Sequence, residues 1–165
     1  MTTVQRLISL ALSVHALALP AMAAPYIPAD GSKVVERLPA RTDPAQRDVA
    51  RMRAALSKSP SDLALATALA RRYIEMARGD GDPRYLGYAQ AALAPWWKLP
   101  QPPADVLVLR ATLRQSTHQF SAALADLDAV LRRDAENPQA WLTRATVQAI
   151  TGDFAAAKAS CMRLH

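Results

Sequence analysis

Residues 104–137 read ADVLVLRATLRQSTHQFSAALADLDAVLRRDAEN, and residues 138–165 read PQAWLTRATVQAITGDFAAAKASCMRLH. Aligned with Leu107 opposite Trp141, the two segments share their order of large apolar, small and aromatic side chains. The further matched pairs are Arg110 and Arg144, Ala111 and Ala145, Thr112 and Thr146, Phe120 and Phe154, Ala123 and Ala157, and Val130 and Leu164. A period of about 34 residues, as here, is typical of helix–turn–helix repeats that stack on one another. The stretch therefore predicts an all-α fold.

Helix start and stop signals divide the sequence upstream of this stretch in the same way. Asp43-Pro44 predicts a helix start, and Ser59-Pro60 predicts its end, because the residue before proline avoids the helical region. Glycine and proline predict a loop over 79–83, and Pro95 is expected to stop the helix before it. The predicted helices cover 43–59, 63–77, 84–93, 105–117, 120–133, 138–151 and 154–165. No segment shows the sustained alternation of a strand.

The repeat resembles the tetratricopeptide repeat family. Trp141, Ala145, Gly152-Asp153, Phe154 and Ala157 follow the order and spacing of that family's unit. Segment 63–103 resembles the same unit, with Leu69, Ala70, Tyr73 and Ala89 at matching positions and an insertion near 79–83. The resemblance implies a right-handed α-solenoid of antiparallel helix pairs over 43–165, with units at 63–103, 104–137 and 138–165. It is specific for the fold and leaves the binding partner open.

In this family the first helix of each pair lines a groove that receives a segment of another protein. The resemblance carries that role onto Thr67, Arg71, Ile74, Glu75, Val108, Thr112, Gln115, Leu142, Thr146 and Ala149. The set is mildly polar, which suits an extended peptide or a partner helix. One subclass clamps a carboxylate with Lys and Asn at fixed groove positions. In this sequence those groove positions hold other residues, so the clamp is absent. They are Thr67, Arg71, Leu109, Gln139 and Thr143.

The family also often pairs an arginine of the first helix with an aspartate of the second. Arg110 and Asp126 have the matching spacing, and extension of the arginine into solvent is the alternative. In the next unit Arg144 would face Ser160, so the same ion pair is not expected there.

The segment 1–23 has the order of a secretory signal peptide. Arg6 precedes an apolar run over 7–19, Pro20 breaks it, and Ala21-Met22-Ala23 places small residues at the cleavage positions. The run is shorter than the roughly 20 residues that a stable membrane span needs. We therefore expect an exported, periplasmic or secreted protein without an integral membrane segment after cleavage. A buried N-terminal helix is the alternative, and residues 24–42, with three prolines, are expected to form an extended linker.

Composition excludes several classes of function. Hydrophobic residues make up 51% and charged residues 21%, which is the balance of a folded domain and not of a disordered chain. One cysteine and three histidines give no internal disulfide and no zinc framework. The net charge of +6 does not indicate nucleic acid binding, because the arginines are interspersed with acids and not with stacking aromatics.

Several single residues suggest a chemical role but have a simpler structural one. Asp80 and Asp82 could belong to a calcium loop, but a solvated turn is expected, because further oxygen ligands at alternating positions and a closing glutamate are missing. Cys161 is expected to be buried like its repeat counterpart Leu127, with a redox role as the alternative. Trp96-Trp97 is expected to pack against the neighbouring helix pair, with stacking of a sugar or anchoring of a partner as the alternative. His118 falls at the turn position of Gly152, where a positive φ is expected, and no nucleophile with an orienting acid accompanies it. No catalytic, cofactor-binding or metal-binding residue is predicted.

The sequence thus favours an exported, non-catalytic scaffold that binds a protein or peptide. Two alternatives remain open, namely an accessory domain of an exported enzyme or envelope-assembly complex, and a structural protein that self-associates through its C-terminal helix. No capping helix follows the one that begins near Phe154, so we expect either a truncated reading frame or docking of this end on a second copy.

Overall fold

The computed structural model describes residues 26–36 and 43–164, so the predicted signal peptide lies outside the described residues. The chain divides into two units, 1–40 and 41–165. In the first unit, residues 26–36 contain a turn and no helix. The Asp30 carboxylate accepts hydrogen bonds from the backbone N–H and hydroxyl of Ser32, at 2.9 and 2.7 Å, and these bonds lower the pKa of Asp30.

The second unit is all-helical over its described residues. Its helices are α1 (Pro44–Lys58), α2 (Leu63–Asp80), α3 (Arg84–Ala92), α4 (Ala94–Trp97), α5 (Ala104–Ser116), α6 (Phe120–Leu131), α7 (Pro138–Ile150) and α8 (Phe154–Cys161). The all-α prediction is confirmed.

Capping side chains fix where several of these helices begin. Asp43 accepts from the Ala45 N–H, at 2.9 Å, with Pro44 in the first turn, as the sequence predicts. Asp62, Asn137 and Asp153 cap α2, α7 and α8 in the same manner. Each side-chain oxygen satisfies an N–H that has no partner inside the helix.

Two predicted helix ends were wrong: the helix that begins at Leu63 ends at Asp80 and not at 77, and the last helix ends at Cys161 and not at 165. The helix α2 continues through Gly79 and Asp80, because the left-handed residue that ends it is Gly81, with φ of 66°. After α3 the chain starts the four-residue helix α4, which the sequence did not predict. Pro95 lies in the first turn of α4, where a missing N–H costs nothing, so this proline opens a helix as well as ending one.

Three helix pairs form the body of the unit: α2 packs on α3, α5 on α6, and α7 on α8. Each connection is short, which makes the two helices of a pair antiparallel neighbours. The first helices also contact one another, α2 on α5 and α5 on α7, while α6 packs on α7 and α1 packs on α2.

The buried apolar residues, small and large, form two clusters. Alanines at repeat-matched positions, Ala70, Ala89, Ala111 and Ala123, have no exposed surface, and helices approach closely where a methyl group replaces a larger side chain. The first cluster joins α1, α2, α3 and α5, with Trp96 and Trp97 partly buried against it. The second joins α5, α6 and α7 around Leu107, Leu127 and Val147.

The turns of the last two pairs have the same geometry. His118 has φ of 60°, and Gly152, at the equivalent position of the next pair, has φ of 84°. The next residue donates back across the turn in both, Gln119 N–H to the Arg114 carbonyl at 2.8 Å and Asp153 N–H to the Gln148 carbonyl at 2.9 Å. The expected positive φ at His118 is confirmed, and the shared pattern is that of a helix C-terminal motif with a left-handed residue.

Candidate binding groove

A cavity of about 450 Å³ lies along the first helices of the pairs. Its walls come from α2, α5 and the start of α7, three segments that are far apart in the sequence. The lining residues are Arg71, Ile74, Glu75, Arg78, Asp105, Val108, Leu109, Thr112, Asn137, Pro138 and Gln139. We refer to this cavity as the groove cavity.

The groove cavity brings together five of the ten residues assigned to a groove from the sequence, namely Arg71, Ile74, Glu75, Val108 and Thr112. Thr67 does not line it, because its side chain is buried and its hydroxyl donates to the Leu63 and Ala64 carbonyls. Gln115 is half-buried outside the cavity. Leu142, Thr146 and Ala149 are exposed on α7 and do not line the cavity either.

Of the other lining residues, Leu109 and Gln139 were named only as positions of the carboxylate clamp, and Arg78, Asp105, Asn137 and Pro138 were missed. Arg78 lies one turn beyond Ile74 on α2, so the helical spacing of the assigned residues could have included it. Asn137, Pro138 and Gln139 form the end wall, and they reach the cavity only because α7 packs on α5. No local sequence signal marks that long-range contact.

The floor of the groove cavity is apolar. Ile74 and Val108 are 5% and 6% exposed, and both present aliphatic side chains. The Thr112 hydroxyl donates to the Val108 carbonyl at 3.0 Å, so its hydrogen-bonding capacity is used within its own helix. A ligand here would meet a small aliphatic surface beneath a larger polar and charged rim.

The rim carries two arginines and two carboxylates that are unequally paired. Arg71 lies 3.4 Å from Asp105, and Glu75 pairs with Arg72 outside the cavity at 2.9 Å. Arg78 has no carboxylate partner among the described residues. The rim therefore presents one uncompensated cation, which favours a ligand with an acidic group nearby.

An ion network holds α5 against α6. Asp126 is buried and accepts from Arg110 Nε at 2.9 Å, from Arg110 Nη2 at 2.7 Å and from Arg114 Nη1 at 2.7 Å. Arg110 also donates to the Trp97 carbonyl. The expected Arg110–Asp126 pair is confirmed, and Arg114 is a partner that the sequence did not indicate.

The third pair replaces this network with a neutral one. The Ser160 hydroxyl donates to Gln148 Oε1 at 2.7 Å, and these residues occupy the positions of Asp126 and Arg114. Arg144 does not pair with Ser160, as expected, and it binds Asp128 of α6 instead.

Among the described residues, Asp82 and His118, which suggested a chemical role in the sequence, make structural contacts. Asp82 accepts from the Arg84 side chain at 2.6 Å and from its backbone N–H at 3.0 Å, and these bonds lower the pKa of Asp82. No group of three or more His, Cys, Asp or Glu side chains that could hold a metal lies among the described residues. His118 packs edge-on against Phe120, with the ring centres 5.6 Å apart.

The prediction that Cys161 is buried was wrong, because its side chain is exposed. Its counterpart Leu127 is fully buried in the cluster that includes Ala140 and Val147 of α7. No helix among the described residues covers Cys161 in the same way. Burial of this repeat position depends on the next pair.

No family model matches this chain, and neither a curated protein nor a solved structure is detectably similar to it. Among the described residues, no helix has the length and apolar character that a membrane crossing requires. The functional proposal therefore depends on the residues and geometry given above.

Proposed function

We propose that this chain is an exported, non-catalytic scaffold of the tetratricopeptide type that binds a segment of another protein. The helix–turn–helix repeat in the sequence, the two equivalent turns at His118 and Gly152, and the contacts of α2 with α5 and of α5 with α7 support this proposal. A right-handed α-solenoid accounts for all three, because each helix pair then stacks on the next in one sense.

The observation that carries the proposal is the groove cavity, with its aliphatic floor and charged rim. About 450 Å³ accommodates one or two side chains of an extended segment, and the open sides let the segment continue along the helices. An apolar side chain would contact Ile74 and Val108, and a neighbouring acidic residue would face Arg78. Binding then needs only desolvation and hydrogen bonding, without a reaction.

A peptide selected from a random display library on the purified chain provides the probe. Its affinity would be measured by fluorescence anisotropy for the parent chain and for Arg78→Glu. Reversing the uncompensated charge should weaken binding about tenfold or more, since like charges at an interface cost several kcal/mol. The library peptides should also be enriched in acidic residues next to apolar ones.

Arg132→Glu is the matched control. Arg132 is exposed and stands at the C-cap of α6, just as Arg78 stands in the last turn of α2, so both reversals disturb a helix C-terminus equally. Equal loss of affinity in both variants, or none in Arg78→Glu, would remove the groove cavity from the binding site.

Export rests on residues 1–23 and has its own test. Replacement of Ala23 by phenylalanine should leave an uncleaved precursor, because signal peptidase needs a small residue before the cut. N-terminal sequencing of the mature parent protein should then begin at Ala24. A different N-terminus would move the boundary.

Self-association is the second candidate function. The last pair exposes Phe154, Ile150 and Met162, which are 72%, 54% and 61% exposed. Phe154 and Ile150 flank the turn between α7 and α8, and Met162 follows the other end of α8. Such exposed apolar side chains are available for contact with another protein. Light scattering of the purified protein separates the two candidates, since a monomer at all concentrations contradicts self-association.

A further inference from the structure

A second set of cavities lies away from the groove cavity, between α1 and the α2–α3–α4 segment. One measures about 310 Å³ and the other about 240 Å³, and they share Arg53, Tyr73 and Tyr88 in their linings. We call the larger one the Arg53 pocket. None of its lining residues belongs to the groove cavity.

The Arg53 pocket is lined mainly by carbon. Leu69, Tyr73 and Ala92 are buried at its base, and Leu56 of α1 and Pro95 of α4 form its sides. The Tyr73, Tyr85 and Tyr88 rings pack together next to it, with centre-to-centre distances of 5.5 to 6.1 Å. Such a packed aromatic wall keeps its shape, so the pocket is formed before a ligand arrives.

The positive charge of this pocket is not balanced by an acid among the described residues. Arg53 lies on α1, is exposed, and interacts with the Tyr73 hydroxyl and with no carboxylate in the described part of the chain. No acidic residue lines the Arg53 pocket. In the smaller cavity Asp82 is already held by Arg84. A guanidinium without an acidic partner above an apolar base is complementary to an anion with an apolar body.

The remaining polar groups limit what that anion can be. The Ser57 hydroxyl donates to the Ala54 carbonyl at 2.8 Å, which leaves Arg53 and the tyrosine hydroxyls as the groups that can meet a ligand. A peptide would bring several amide groups that need partners of their own, and burying them unpaired is costly. A free acid has only its carboxylate to satisfy.

We propose that the Arg53 pocket binds a free carboxylic acid with an aromatic or branched aliphatic body, the body lying on Leu69 and Tyr73 and the carboxylate paired with Arg53. The volume is near the lower limit of small-molecule sites, which suits a body the size of a phenyl or isobutyl group. This site is independent of the groove cavity and of the proposed partner binding.

The test is calorimetric titration of the full chain with 3-phenylpropionate and with its uncharged amide, 3-phenylpropanamide. The acid should bind saturably, and the amide should bind at least about tenfold more weakly, because it cannot form the charge-assisted pair. Arg53→Gln should weaken binding of the acid by a similar factor, whereas Arg53→Lys should keep most of the affinity. Arg47→Gln is the matched control, since Arg47 is an exposed arginine of α1 outside both cavities.

Several results would overturn the proposal. They are an absence of saturable binding of the acid, equal affinity for acid and amide, and equal loss of affinity in Arg47→Gln and Arg53→Gln. Tighter binding of the tripeptide Ala-Ala-Phe than of the free acid would also overturn it, and would assign the pocket to a peptide C-terminus. If Arg53→Gln unfolds, as seen by circular dichroism, the comparison of acid with amide and the lysine variant decide the outcome.

Discussion

Replacement of Asp126 by alanine should be among the most damaging single changes in the second helix pair. The carboxylate accepts three hydrogen bonds from Arg110 and Arg114, at 2.7 to 2.9 Å. The side chain of Asp126 is 6% exposed, that of Arg110 is 11% exposed and that of Arg114 is 23% exposed. Removal of the acid leaves two largely desolvated cations facing each other without an anion.

The expected cost follows from that burial. Breaking a buried ion pair by removing one partner costs about 3–5 kcal/mol. Arg110 retains the Trp97 carbonyl and Arg114 retains the Ala122 carbonyl, so the lower end, about 3 kcal/mol, applies. A loss of this size should lower the melting temperature by roughly 10 °C in a domain of this length.

Ser160→Ala is the control at the equivalent position of the last pair. It removes one neutral hydrogen bond to Gln148, for which about 1 kcal/mol is expected. Urea unfolding followed by circular dichroism would give both free energies. If Asp126→Ala costs no more than Ser160→Ala, the ion network does not hold α5 to α6, and the reasoning fails.

Three further predictions concern the turns, the helix crossings and pH. His118→Gly should stabilise the protein by about 0.5–1 kcal/mol, because the strain of a non-glycine residue in the left-handed region exceeds the extra conformational entropy that glycine loses on folding. Gly152→Ala should destabilise the protein for the same reason, and thermal melts with the opposite order would contradict both expectations. Ala123→Trp should cost about 1–3 kcal/mol or more by overpacking a fully buried position, and an unchanged melting temperature would refute the repeat register. Burial raises the pKa of Tyr73, so its contribution to stability is complete below pH about 10 and is lost as the pH rises through the raised pKa. Urea midpoints between pH 9 and 11 should fall less steeply in Tyr73→Phe than in the parent.

Local signals predicted what local chemistry determines. Asp43 with Pro44 marked the start of α1, and the match of His118 with Gly152 predicted the turn conformation, because caps and left-handed residues act within a few positions. The predicted end of α3 before Pro95 is also correct, but the helix α4 that this proline opens was not predicted, because one residue satisfies the requirements of a helix end and of a helix start. The local sequence does not show whether a second helix follows this proline. In the structure one does, and its Trp96 and Trp97 pack on the first cluster.

Features that form between successive helix pairs were not predicted from the sequence. Cys161 differs from Leu127 in what packs on it, and neither residue's own segment contains that information. The end wall of the groove cavity comes from Asn137 to Gln139, far along the chain from the α2 residues opposite. Five of ten assigned groove residues line the cavity because the repeat register identifies a helix face but not where a neighbouring pair closes it.

Arg110 and Arg144 show what the repeat contributes to the contacts between successive helix pairs. They occupy the same repeat position, yet their intra-pair partners differ, since Arg110 has Asp126 and Arg144 has no acid on the described part of α8. Both nevertheless bind a group outside their own pair, the Trp97 carbonyl for Arg110 and the Asp128 carboxylate for Arg144. Each arginine also lies over a tryptophan ring, Trp97 or Trp141, at 5.8 and 5.6 Å from the ring centre. The shared role of this repeat position is therefore to join one pair to the one before it.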